Sequence, residues 1–196
     1  MATTELALAR LCDPCSEVSA HYLIAEGGQV LRLVAEENRA WHAGSGKWGS
    51  CSDVNSQSIG IELANTGQSP FAARQIDALE SLLGAVMSRW DIPAQRVIAH
   101  SDMAPTRKRD PGSRFDWRRL ALSGLAIWPT PTGTECDSFA EAARRFGYPD
   151  TDKEALLSAF RLRFRPWGKG DEDAVDRALI YDLAERFPVD PEPLST

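Results

Sequence analysis

The sequence predicts an α/β fold, a central mixed β-sheet flanked by helices, followed by a small C-terminal three-helix bundle. Three observations carry this expectation. Short strand-like runs intermix with helix-period segments up to about residue 125, the order expected of an α/β domain. A stretch rich in proline and threonine, WPTPTGTECD at 128–137, then breaks the pattern and reads as a linker. Beyond it come three amphipathic helices with no strand between them. The expected boundaries are therefore 1–127 for the α/β domain, 128–137 for the linker and 138–190 for the helical module.

Residues 4–11 read as a short helix. VSAHYLI at 18–24 is a strand, Gly27-Gly28 a hairpin turn and 29–34 the returning strand. SIGIEL at 58–63 is a further strand. The clearest helix is 71–90, where Ile76, Leu79, Leu82, Leu83, Val86 and Met87 recur at helical spacing. Pro93 closes that region, RVIA at 96–99 reads as a short strand, and 116–122 as a helix. In the helical module, 138–146, 154–163 and 173–186 carry apolar faces at Phe139, Leu156, Phe160, Phe164, Leu179 and Leu183. No internal repeat is present.

Composition narrows the function classes. A chain of 196 residues can bury one good core and one small extra module. With 43% hydrophobic residues, no long apolar run and a net charge of −6 without a basic stripe, neither membrane nor nucleic acid is an expected partner. A monomer is expected. The N-terminal stretch MATTELALARLCDPC lacks the basic start of a signal peptide. The chain as written thus reads as cytoplasmic, or as periplasmic where a signal-bearing N-terminus is missing. Cys12 and Cys15 form a C-x-x-C, which can mark a redox pair or half a zinc knuckle. Here it follows a helix instead of preceding one, and no second C-x-x-C completes it. Cys51 and Cys136 stand alone, and ordinary thiols of a reducing compartment are the simpler reading.

The chemistry concentrates in IAHSDMAPTRKRDPG, 98–112. A catalytic zinc takes three protein ligands and leaves one position for water. His100 at a strand end and Asp110 before a Pro-Gly turn can supply two of the three. Lys108 lies two residues before Asp110, on the same face of an extended segment, where its charge can stabilise an oxyanion. A solvated charged loop with a satisfied strand-end histidine explains the same residues. Glu62 tips the balance. In SIGIEL it shares a face with Gly60, a bare position over which a substrate can pass closely. A carboxylate there can act as general base toward a zinc-bound water.

SIGIEL, AWHAG at 40–44, VSAHYLI and AHSDMAPTRKRDPG followed by FDW together resemble the zinc-dependent N-acetylmuramoyl-L-alanine amidases of the amidase-2 family, relatives of T7 lysozyme and the peptidoglycan recognition proteins. The resemblance covers about residues 1–125. The tail, with FGYPDT and AFRLRFRP, resembles a small peptidoglycan-binding domain. The resemblance implies zinc as cofactor, with His100 and Asp110 as its second and third ligands. It implies Glu62 as the catalytic glutamate and Lys108 as the lysine that steadies the tetrahedral intermediate. Trp41 and His42 would line the substrate cleft, and peptidoglycan or a muropeptide would be the partner. The reaction implied is hydrolysis of the amide between N-acetylmuramic acid and L-alanine.

One ligand is unaccounted for. The family's first zinc histidine lies on an early strand, in a motif resembling HYTGM, and here no histidine precedes His21. Met1 matches the methionine closing that motif, so the chain is expected to lack its first strand. His42 is the better-placed candidate substitute, with Cys51 and His21 the others, although His21 is expected mainly in the core or behind the ligands. The rival expectation is a catalytically impaired peptidoglycan-binding protein. A thiol-based regulator using Cys12 and Cys15 is a third.

Overall fold

The computed structural model describes residues 3–131 and 133–190. Met1, matched above to a family motif, and Thr132 of the expected linker lie outside the described residues. Three strands form one mixed sheet in the order β2-β1-β3: β1 (Tyr22–Ile24) runs antiparallel to β2 (Val30–Arg32) and parallel to β3 (Ile61–Leu63). The hairpin closes at Gly28, whose φ of +90° is the left-handed conformation that glycine adopts without steric cost.

Alternation along β1 makes the layers. Leu23 faces α1 (Thr4–Cys12), packing with Ala7, Leu11, Ala20 and Ala64. Ile24 faces the other way, onto Ile76, Leu79 and Leu83 of α2 (Ala73–Trp90). Each such fully buried aliphatic side chain contributes about 1.5–3 kcal/mol. Gln75, buried in α2, donates from Nε2 to Ile24 O and Ala64 O, both at 3.0 Å, and so fastens the helix to the sheet ends.

The strands are shorter than the sequence predicts. Ser19 N donates to Trp41 O, and His21 N and Tyr22 N both donate to Gly60 O, so loop carbonyls take over from a ladder at the strand beginnings. The expected strand at 96–99 is not one. A single 3-10 turn (Ala94–Arg96) precedes residues 97–99, which pair with no strand among the described residues. Side chains take two of their backbone groups, Val97 O by Arg163 and Ala99 N by Asp102, and local backbone takes Val97 N and Ala99 O, in place of a ladder.

A single helical turn, α3 (His100–Met103), follows, then α4 (Trp117–Leu122), capped by Asp116. After the irregular stretch come α5 (Phe139–Phe146), α6 (Lys153–Phe164) and α7 (Ala174–Arg186). Each opens on the side chain of Ser138, Asp152 or Asp173 accepting a first-turn amide. Phe139, Phe146, Phe160, Phe164, Ile180 and Leu183 fill the centre of these helices. The same apolar cluster takes in Ala43, Trp48, Val54, Met103 and Ala104 from the α/β part.

Candidate active site

Loops at the β3 end of the sheet enclose an open cleft of about 890 Å³, lined among others by Trp41, His42, Glu62, His100, Lys108 and Asp110. His100 is the first residue of α3, placed there by the turn that follows Ala99 instead of by a strand end. Its Nδ1 meets Asp110 Oδ2, and its Nε2 donates to His42 O at 2.9 Å. The His100 side chain is 18% exposed and that of Asp110 48%, so the pair opens to the cleft. Asp110 precedes a cis proline, and its carbonyl accepts from Ser101 N at 3.1 Å.

Electrostatics couple the group. Burial disfavours the His100 imidazolium, but the hydrogen bond and charge of Asp110, with Glu62 adding to them, outweigh it and raise the pKa. Burial likewise raises that of Asp110, yet His100 and Lys108 bring it below the ordinary carboxylate value. Glu62 and Lys108 thus both lie within electrostatic reach of His100.

His42 behaves differently. Burial, with repulsion from His21 and His100, lowers its pKa to about 4, so its imidazole is neutral at physiological pH. That ring lies over Gly60: a Cβ built there would come within 2.3 Å of His42 Cγ. The bare position thus makes room for a side chain of this chain, which corrects the expectation that a substrate passes over it. Asn55, unremarked in the sequence, fixes the neighbouring backbone: its Oδ1 accepts from His42 N at 3.0 Å and Ala43 N at 2.8 Å. Arg107 donates to Ala43 O and Ser45 O, tying the AWHAG loop to the loop that carries Lys108. Nothing in local sequence singles out either residue. Trp41 is 55% exposed, with the Arg39 guanidinium 4.2 Å from its ring centroid.

The donor set for zinc falls short. Among the described residues, no group of three or more His, Cys, Asp or Glu could hold a metal ion. His100 and Asp110 are two donors. His21 is buried and used on both nitrogens, Nδ1 accepting from Gly60 N at 2.9 Å and Nε2 meeting Asn38 O at 3.0 Å. The described residues therefore do not fit a zinc centre with three protein ligands. Cys12, Cys15, Cys51 and Cys136 are free thiols.

A half-covered glutamate, a lysine and a histidine–aspartate pair thus share one cleft of an α/β fold, groups of the kind that can move a proton and face an oxyanion. The chain belongs to the Amidase_2 family, N-acetylmuramoyl-L-alanine amidase, which matches residues 1–113. It is 34% identical to the N-acetylmuramoyl-L-alanine amidase AmiD of Escherichia coli (strain K12), over 92% of this chain and 78% of that protein. It is 39% identical to the 1,6-anhydro-N-acetylmuramyl-L-alanine amidase AmpD of Haemophilus influenzae, over 54% of this chain and 58% of that protein. The fold matches E. coli AmiD, solved with the substrate anhydro-N-acetylmuramic acid-L-Ala-D-gamma-Glu-L-Lys, with a TM-score of 0.87, covering 96% of this chain and 86% of that one at 34% identity. It also matches AmpDh3 from Pseudomonas aeruginosa, with a TM-score of 0.84, over 94% and 88% at 29% identity. Among the described residues no helix is long and apolar enough to cross a membrane.

Proposed function

We propose that this chain hydrolyses the amide between N-acetylmuramic acid and L-alanine in soluble peptidoglycan fragments. One observation carries the reading: Glu62 from β3 and His100, Lys108 and Asp110 from the 98–112 segment line one open cleft, where Glu62, Lys108 and Asp110 all act electrically on His100. In this reading Glu62 takes the proton from the attacking water and returns it to the leaving amine. Lys108 faces the oxyanion that develops on the carbonyl. Trp41 offers a flat exposed face to a sugar ring, and the neutral His42 lines the floor of the cleft. Residues 1–127 carry this chemistry, and 138–190 contribute as a peptidoglycan-binding-like region. The family relationship and the muropeptide bound to the similar AmiD support the substrate class.

A second reading is favoured by the two-donor metal set: a muropeptide-binding protein without turnover. One experiment separates them. The chain is incubated with anhydro-muramyl tetrapeptide, with and without micromolar zinc, and released peptide is followed by mass spectrometry alongside calorimetric binding. Release of free peptide that depends on Glu62 supports hydrolysis. Binding without release leaves the second reading, and absence of both overturns the two together.

A further inference from the structure

The helix that presents His100 is one turn long, residues 100–103, and a single turn has no stability of its own in water. Its support comes from Asp102, which is fully buried. Asp102 Oδ2 accepts from Ala99 N at 2.9 Å, the amide immediately before His100. The same oxygen accepts from Arg163 Nη1 at 2.7 Å, and Oδ1 accepts from the Tyr148 hydroxyl at 2.9 Å. Arg163 in α6 is itself 2% exposed. Its Nη2 donates to Val97 O at 3.0 Å, and its guanidinium lies 4.1 Å from the Trp117 ring centroid and 4.8 Å from that of Phe164. Arg109, next to Lys108, also reaches α6, donating to Ser158 Oγ at 2.9 Å.

We propose that Arg163 and Tyr148, both from the C-terminal helical region, are positioning residues that hold the His100 turn against the cleft through Asp102. Burying an ion pair is an inefficient way to add stability, because an apolar trio of the same volume does as well or better. What charge and hydroxyl add is direction. Three donors fix the carboxylate, the carboxylate fixes Ala99 N, and the chain therefore enters α3 at one angle. On this view the C-terminal helices complete the active-site scaffold, in addition to any contact they make with polymer. The inference about turnover rests on the hydrolase reading above, whereas the inference about order does not.

The test replaces the network by apolar groups, Asp102→Leu/Tyr148→Phe/Arg163→Met, beside the single Tyr148→Phe, which removes one hydrogen bond and keeps the ring. Amide hydrogen exchange and steady-state kinetics are measured on both. The triple variant is expected to unfold cooperatively near the parent's midpoint, with exchange at residues 99–104 at least about tenfold faster and amides of α5 to α7 little changed. Its kcat is expected to fall about tenfold or more while KM moves less than about threefold. Tyr148→Phe is expected to show the same pattern at about two- to fivefold. If the triple variant does not fold, Tyr148→Phe decides. Parental exchange at 99–104 in a folded variant overturns the proposal, as does loosening spread evenly over the molecule. If the parent itself turns nothing over, the hydrolase reading has failed, and the exchange pattern alone still decides the role of Arg163 and Tyr148.

Discussion

The cleft and the C-terminal helices handle charge differently. Among the helices, charge is answered by charge: Arg161 pairs with buried Asp176, and Arg165 reaches both Asp173 and Asp176 at 2.7 and 3.0 Å. Around the cleft, charge is answered only in part: His100 meets Asp110 through Nδ1 but gives Nε2 to the His42 carbonyl, and Arg107 leans on the carbonyls of Ala43 and Ser45. Carboxylates there, Glu62 and Asp110, stay partly open to solvent. Charges consumed in pairs hold a shape. Charges left half-answered are available to a substrate.

If that contrast is real, substitutions on the two sides must fail in different ways. The largest effect is expected at Glu62→Gln, which should cost about 100-fold or more in turnover with an unchanged denaturation midpoint. A parallel loss of stability would place Glu62 with the structural charges instead. Asp176→Ala should do the reverse. It takes the carboxylate partner from largely buried Arg161, leaves Arg165 with Asp173 alone, and should lower unfolding free energy by about 3 kcal/mol or more in urea titrations, leaving the activity of the folded fraction in place.

Gly60→Ala sits between the two regimes, since its new methyl group collides with the His42 ring. A loss of about 1–3 kcal/mol is expected, together with a changed KM. An unaltered crystal position of His42 would contradict the close approach.

The smallest effect tests a half-covered pair by the same logic. Glu36 accepts from Arg89, Tyr22 and Trp90. The Arg89 hydrogen bond above all, helped by Tyr22 and Trp90 against the cost of burial, brings its pKa from 4.5 to about 2. The folded state thus holds this carboxylate ionised at pH values where the unfolded chain protonates it. The contribution is complete above pH 4.5 and fades as pH falls toward 2. Because Arg89 is half exposed, screening keeps the net effect near about 1 kcal/mol. Glu36→Gln should therefore flatten the stability curve between those values, with the acid titration monitored by circular dichroism.

Zinc content sharpens the same picture from the metal side. Two donors hold the ion poorly, so the dialysed chain should retain well below about one zinc per molecule. Stoichiometric retention would mean that a third group in this chain reaches His100 and Asp110.

The helices were legible because their information is local. Apolar residues recur at helical spacing in α2, and Ser138, Asp152 and Asp173 stand where first-turn amides need an acceptor. Glu62, His100, Lys108 and Asp110 were legible as residue types in a motif, as were Trp41 and His42. Strand ends were not, because a three-residue strand stops wherever a loop carbonyl, such as those of Trp41 and Gly60, outcompetes the neighbouring strand. The segment at 97–99 misled for the same reason: an apolar run has the composition of a strand, but its backbone was claimed by the turns on either side, by Asp102 and by distant Arg163.

By itself, then, the sequence determined the longer helices, the family resemblance and the set of groups offered to the cleft, but not the single turn that carries His100. Tertiary structure alone decided what those groups face. His42 covers Gly60, His21 is consumed in the core, and the turn carrying His100 hangs from Arg163, 61 residues beyond Asp102. Spacing along a chain dictates which side chains share a helix face. It has no means of stating which buried carboxylate a distant arginine will meet, because that pairing exists only once packing has excluded water from both.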